Sequence, residues 1–137
     1  MKNIIYKVES SLDPSEFIDV LKRSTLGDRR PVDDFNRIKT MCKNANLIIT
    51  ARLDGKLIGI ARSVTDFVYC TYLSDLAVDL EFQKKGIGKR LIEETKKQTP
   101  QATLILLSAP AAVEYYPKIG MKRHEHCFII KDLKELK

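Results

Sequence analysis

The sequence predicts a mixed α/β (α+β) protein whose central sheet is mostly antiparallel and flanked by helices on both faces. Three observations predict it. Two amphipathic helical stretches come first, period-two segments joined by tight turns follow, and a strand, helix, strand succession then implies a parallel pair.

Residues 4–8 form a short apolar strand. Asp13-Pro14-Ser15-Glu16 then supplies a capping side chain, a proline at the first helical position and a glutamate three residues after the cap, so a helix starts there. Phe17, Val20, Leu21 and Ser24 recur at helical spacing along it. After the loop Thr25-Leu26-Gly27-Asp28-Arg29-Arg30-Pro31, a second helix places Phe35, Ile38 and Cys42 on one stripe. From Asn46 the period becomes two: Leu47, Ile49, Ala51 and Leu53 alternate with Asn46, Thr50 and Arg52. Asp54-Gly55 is a tight hairpin turn into a second strand at residues 56–65, and a third covers residues 70–78. A helix with the stripe Ile87, Leu91, Ile92 and Thr95 runs to about Gln98, followed by a continuous apolar strand at residues 102–107. Pro110 opens a short helix that passes Tyr116 and is closed by Pro117 and Gly120. Cys127-Phe128-Ile129-Ile130 reads as a last strand.

With 137 residues, 44% hydrophobic and 31% charged, and no linker or repeat, one domain over residues 1–137 is expected, and disorder is excluded. The opening residues carry too short an apolar run for a secretory signal. No stretch approaches the roughly 20 apolar residues that cross a bilayer, so the expected compartment is the cytoplasm, without membrane partners. Cys42, Cys70 and Cys127 have no paired spacing and read as buried thiols. The net charge of +6 is spread over small basic clusters without interleaved aromatic residues, so no nucleic-acid partner is expected. His124 and His126 alternate onto one strand face, but no third ligand completes a site and no metal is expected.

The charge pattern of one turn carries the functional signal. The helix that begins near Gly86 has Lys84, Lys85, Lys89 and Arg90 at its N-terminal end, where the positive pole of the helix disfavours each cation by about 0.3 to 1 kcal/mol. A bound pyrophosphate would offset that, with free N–H groups of the turn donating to its oxygens and the glycines allowing close approach. A Walker loop would need glycine at Gln83 and Ser or Thr at Arg90. A dinucleotide fingerprint would need glycine or alanine at Leu91.

Gln83-Lys84-Lys85-Gly86-Ile87-Gly88 resembles the acetyl-CoA motif of the GNAT superfamily of N-acetyltransferases: Gln or Arg, two variable residues, Gly, one variable residue, then Gly or Ala. Leu76-Ala77-Val78 stands where the family's preceding strand ends. Tyr115-Tyr116-Pro117-Lys118-Ile119-Gly120-Met121 is similar to a second family signature, and in many members the last helix begins with an asparagine where this chain has Pro110. The resemblance spans nearly the whole chain and implies a GNAT-like sheet and acetyl-CoA as cosubstrate. It also implies transfer to a primary amine of a small molecule or peptide by direct attack. Under it, the backbone of Leu76, Ala77 and Val78 pairs with the pantetheine arm. Gln83, Lys84, Lys85, Gly86, Ile87, Gly88, Lys89 and Arg90 form the cofactor turn, and Tyr116 is the general acid. Asp75, on the strand leading to the turn, and Glu81, beside it, are the candidate bases. Asp75 is expected to share a strand face with Leu73 and Ala77, and it reads equally as a satisfied structural carboxylate. Arg29, Arg30 and Tyr72 are acceptor-site candidates, with Asp33 and Asp34 flanking the same loop. The alternative is a CoA-binding regulatory or interaction module of this fold without turnover, and pairing of the chain as a homodimer is left open.

Overall fold

In the computed structural model, which describes residues 3–137, the chain divides into two compact units, one ending at Leu107 and one spanning Ser108–Lys137. The first holds a five-stranded sheet in the order β1 (Ile5–Val8), β2 (Leu47–Leu53), β3 (Lys56–Thr65), β4 (Cys70–Val78) and β5 (Thr103–Ile105). The first three pairings are antiparallel and β4 runs parallel to β5. Helices α1 (Pro14–Ser24) and α2 (Phe35–Asn44) cover one face, where Phe17, Val20, Leu21, Ile38 and Cys42 pack against Ile48, Leu57, Ile60 and Ala77. Helix α3 (Ile87–Gln98) covers the other, with Ile87 and Leu91 against Leu47, Ile49, Ala51, Ile58, Ala61 and Leu73. The mixed, mostly antiparallel sheet with helices on both faces is therefore the architecture of the first unit.

Local chemistry explains the boundaries. The Asp13 carboxylate accepts from the Ser15 N–H at 2.9 Å and Asp34 accepts from the Arg37 N–H at 3.1 Å, each satisfying a donor that a helix start leaves orphaned. Asp54 and Gly55 both have positive φ, 50° and 81°, as the favoured two-residue hairpin turn requires. Glu16 does not fold back to complete a capping box. It accepts instead from Arg52 at 2.6 and 2.8 Å, tying α1 to β2. The same guanidinium donates to Glu9 at 2.8 and 3.0 Å, and the Thr50 hydroxyl also bonds that carboxylate.

That bond to Arg52 holds the Glu9 carboxyl below its usual value. The folded state thus binds this proton less readily than the unfolded chain does, and the stabilisation is present above the unfolded carboxyl pKa and disappears as pH falls through the folded one. Urea unfolding of the parent and of Glu9→Gln is accordingly expected to show a stability gap at pH 7 that closes as the buffer is taken below the usual carboxylate range. A gap independent of pH would refute the assignment.

Gly59 of β3 lies directly beneath α3. A Cβ there would stand 3.2 Å from Ile87 Cγ2, 3.2 Å from Leu91 Cδ1 and 3.4 Å from Ala51 Cβ, so the helix sits on the sheet at a spacing only glycine permits without a shift.

Several sequence expectations are corrected. Phe35, at the first position of α2, is half exposed, because the buried stripe of that helix begins at Ile38. Ile48 and Thr50 are as buried as their neighbours, since β2 is covered on both faces and shows no simple alternation. Cys42 is buried and burial pushes its thiol up to about 11, but Cys70 and Cys127 are exposed rather than buried. Strand β5 is confined to Thr103–Ile105.

The second unit carries a 3-10 turn at Pro110–Ala112, the short helix α4 (Tyr115–Lys118), Gly120 at φ 100° after it, and a 3-10 turn at Leu133–Glu135. Its Cys127-Phe128-Ile129-Ile130 segment is not a strand. An apolar run becomes a strand only with a ladder partner, and among the described residues none pairs with it; Phe128 is left 88% exposed. His124 and His126 consequently do not share a strand face. Their rings stack edge to face at 5.5 Å, and His124 Nδ1 accepts from the His126 N–H at 3.0 Å. Among the described residues no helix is long and apolar enough to cross a membrane, and no group of three or more metal-ligating side chains occurs.

Candidate functional site

The site of the first unit lies where β4 ends and α3 begins. Asp79 closes the strand. Its N–H donates to the Ile58 carbonyl at 2.8 Å, and its carboxylate accepts from the Glu81 N–H at 2.9 Å and from the Arg23 guanidinium. Burial opposes ionisation of Asp79, yet the Glu81 N–H and Arg23 outweigh it and leave the carboxyl below its ordinary value. Arg23 donates also to the Leu57 carbonyl at 2.6 Å, so the start of the turn is anchored to α1 and β3 together. After the 3-10 turn Leu80–Phe82, the Gln83 side-chain amide donates to the Val78 carbonyl at 3.0 Å, folding the turn back onto the strand.

Lys84 and Gly86 then adopt the left-handed conformation, at φ 63° and 82°. Positive φ at two positions of one turn is the kind of backbone from which anion-binding nests are built. The N–H groups of residues 84–89 find no acceptor among the described residues; the next one, of Arg90, closes the first helical bond, to the Gly86 carbonyl at 3.1 Å. A Cβ on Gly86 would meet nothing within 4 Å, so the turn faces open space rather than another packed element.

The cations are not equivalent. Lys84 and Lys89 are exposed, and Lys85 stands over the Phe82 ring at 5.5 Å. Arg90 is occupied differently: its guanidinium lies 4.6 Å over the Tyr6 ring and donates to Glu94 at 3.0 Å, which directs it along the helix. Three ammonium groups therefore surround the turn with no carboxylate partner among the described residues, and they carry the electrostatic case that sequence placement ascribed to four.

The second component is the edge of β4. Its ladder with β3 runs from Thr71 to Val78, whereas its ladder with β5 covers only Cys70, Thr71 and Tyr72. Along residues 73–78 the edge opposite β3 has no partner strand among the described residues, so Leu76, Ala77 and Val78 lead toward the turn with main-chain groups available to an extended ligand. The divergence begins at an irregularity. Arg62 pairs with Asp75 and Ser63 with Leu73, leaving Ser74 as the extra residue of a β-bulge. The bulge reverses the alternation. Leu73 packs on the α3 side with Leu76 and Val78, while Ala77 lies on the α1 and α2 side. The expectation that Asp75 shares a face with both Leu73 and Ala77 is thus corrected: it shares one with Ala77 only.

Asp75 is fully buried, and both of its oxygens are engaged, one by Arg30 Nε and the other by Arg62 Nε. Arg62 donates further to the Met41 carbonyl and the Ser74 hydroxyl, each at 3.2 Å, and lies 5.9 Å from the Phe17 ring centroid. Arg30 donates to the Ser74 carbonyl at 2.8 Å and to the Arg29 carbonyl at 2.9 Å. Of the two readings its sequence position left open, Asp75 has the surroundings of a satisfied structural carboxylate. Arg30 spends its guanidinium on protein groups, whereas Arg29 and Glu81 are exposed and Tyr72 is partly so, flanked in register by Val64 and Ile105. Sequence reasoning missed Arg62 and the Arg23–Asp79 pair. An arginine inside the apolar run Ile58-Gly59-Ile60-Ala61-Arg62 was the available signal for the first, and an Asp two residues before the Glu81 N–H it caps was the signal for the second.

In the second unit Tyr116 is half buried and its ring meets that of Tyr115 edge to face at 5.3 Å. Burial, reinforced by neighbouring Tyr115, raises its phenol above the ordinary value, so the hydroxyl is a proton donor throughout the neutral range.

Residues 31–133 match the family model described as the acetyltransferase (GNAT) domain. An uncharacterised N-acetyltransferase, ycf52, of Pyropia yezoensis is 30% identical over 99 residues, covering 67% of this chain and 55% of the relative. The chain thus spans about half the length of that curated relative. A GNAT-family acetyltransferase of Streptococcus pneumoniae superposes with a TM-score of 0.76 at 17% identity, over 95% of this chain and 100% of that one. An aminoglycoside N-acetyltransferase solved in complex with CoA superposes with a TM-score of 0.73 at 14% identity, over 97% of each chain. Such distant identities establish a shared fold, and the family model's match over most of the sequence establishes more: this chain belongs to the GNAT acetyltransferase family.

Proposed function

We propose that the chain acts as one acetyl-CoA-dependent N-acetyltransferase domain in the cytoplasm and transfers the acetyl group to a primary amine of a small molecule or peptide. The observation that carries this reading is the turn of residues 84–89, where left-handed Lys84 and Gly86, unsatisfied N–H groups and three unpaired ammonium groups converge at the positive pole of α3. That donor set suits a pyrophosphate. The open edge of β4 leads away from it and suits the amide-bearing arm of the same molecule.

Direct attack by a neutral amine on the thioester carbonyl forms the new C–N bond and a tetrahedral oxyanion. Collapse breaks the C–S bond, and the departing thiolate needs a proton. Main-chain N–H groups at the β4 edge are suited to the oxyanion, and Tyr116, protonated at neutral pH, is suited to be the proton source. For the amine proton, Glu81 is the exposed carboxylate beside the turn, while Asp75 is fully buried with each oxygen engaged by an arginine that favours its ionised form.

Calorimetry with acetyl-CoA followed by thiol release across a panel of amines tests the reading. Binding is expected for the parent and is expected to weaken at least tenfold in Gly86→Val, because a β-branched residue at φ 82° is strained and its side chain projects into the open side of the nest. Tight binding without thiol release for any amine would favour a regulatory CoA-binding module. Absence of binding would sink both.

A further inference from the structure

We infer that Arg23, in the last turn of α1, is a positioning residue that sets the affinity for acetyl-CoA by neutralising Asp79. Asp79 can then fix the backbone entering the turn without setting a negative charge against the incoming pyrophosphate. The inference rests on the acetyl-CoA reading of the turn and adds to it a residue 56 positions before Asp79 in the chain. Residues 80–82 have little apolar purchase. Leu80 is 54% exposed, Glu81 is exposed, and Phe82 packs only partly buried against the core on the α3 side. The path from β4 into the turn is therefore set by polar bonds, and several converge on Asp79. Its N–H donates to the Ile58 carbonyl, its own carbonyl accepts from the Phe82 N–H at 2.8 Å, and one carboxylate oxygen accepts from the Glu81 N–H. The other oxygen takes the Arg23 guanidinium.

The position of Asp79 gives its charge a consequence for the ligand. It is only 4% exposed and stands five residues before Lys84, and the Gln83 side chain folds the turn back onto the neighbouring Val78 carbonyl. A carboxylate so withdrawn from water is weakly screened, and left unpaired beside an anion site it would oppose the phosphates that dock there. Arg23 cancels that charge at contact distance, and Lys56 also acts on it. Arg23 is itself fixed, donating to Asp19 one turn earlier at 3.0 Å and to the Leu57 carbonyl, so its guanidinium stays with Asp79 rather than reaching the ligand.

Calorimetry with acetyl-CoA would compare the parent with Arg23→Gln, Arg23→Lys, Asp79→Asn and the double variant Arg23→Gln/Asp79→Asn, with thermal unfolding of each alongside. Arg23→Gln is expected to raise the Kd about tenfold, the size expected for a lost charged hydrogen bond, while the KM for the amine stays unchanged. Asp79→Asn keeps an acceptor for the Glu81 N–H and carries no charge, so alone it is expected to bind at least as tightly as the parent. In the double variant it is expected to restore the Kd to within about threefold of the parent value, a coupling that only a charge role produces. Arg23→Lys keeps the charge without the fork to the Leu57 carbonyl and should also stay within about threefold. A purely structural pair would instead lower thermal stability and leave every Kd alone. Parent-like affinity of Arg23→Gln, or a double variant as weak as Arg23→Gln, would overturn the role. Should Arg23→Gln fail to fold, Arg23→Lys and the double variant decide in its place, because neither leaves Asp79 charged and unpaired; a larger loss in either would overturn the role. A parent that does not bind acetyl-CoA would sink the proposed function and this inference together, whereas a parent that binds, with variants that all match it, would sink this inference alone.

Discussion

Asp75→Ala is expected to cost about 3 to 5 kcal/mol of folding stability, the usual range for removing one partner of a buried ionic cluster. The carboxylate is fully buried and answers two guanidiniums, and without it Arg30 and Arg62 would face each other across β4 with no counter-charge. Asp75→Asn should lose less, because the amide keeps the shape and one acceptor oxygen, but its NH2 group must then point a donor at a donor. Urea unfolding of both variants measures the ordering. The competing role for this residue, proton acceptor from the amine, makes the opposite forecast: an Asn variant as stable as the parent and without turnover. That result would overturn the assignment of Asp75 as a structural anchor.

Tyr116→Phe is expected to lower kcat by about 10² to 10⁴, the usual contribution of a positioned general acid, while leaving the Kd for acetyl-CoA within about twofold. The substitution removes a hydroxyl and preserves the ring that meets Tyr115 edge to face. Because burial raises the phenol above its ordinary value, the donor form persists further into alkaline solution than a free tyrosine would. The parent should therefore hold its rate up to alkaline pH and then fall, and the variant should lack that alkaline limb. A variant that released thiol as fast as the parent would show that the leaving group takes its proton elsewhere.

The features legible in the sequence were those whose cause is local. Asp13, Asp54-Gly55 and Gly86 each perform their task within a few residues of themselves, and the structure has the cap, the hairpin turn and the helix start where they were expected. The buried stripe Phe17, Val20, Leu21 and Ser24 was equally readable, because helical periodicity is a short-range signal. What escaped depended on partners far along the chain. The bulge at Ser74 is a relation between β3 and β4 that neither strand announces, and it decides which side Leu73 and Asp75 occupy. Arg90 looked like a phosphate ligand from its place at the helix start, but its fate was set by Tyr6 on a strand more than 80 residues earlier. The apolar segment around Phe128 failed as a strand for a related reason, since hydrophobicity supplies the wish for a neighbour and not the neighbour itself.

Gly59 has an implication for how the cofactor turn can vary. With no side chain between β3 and the Ile87 and Leu91 contacts, the first helical turn after the nest rests directly on the sheet. The missing methyl group thus works as a gauge, fixing how high the donors of the turn stand above the end of β4. Lengthening or recolouring the turn itself would alter charge and grip but not this elevation. A member of the family that needed a different reach between its phosphate cradle and its strand edge would have to begin by changing a residue on the neighbouring strand, in contact with the motif in space but more than twenty residues before it in the chain.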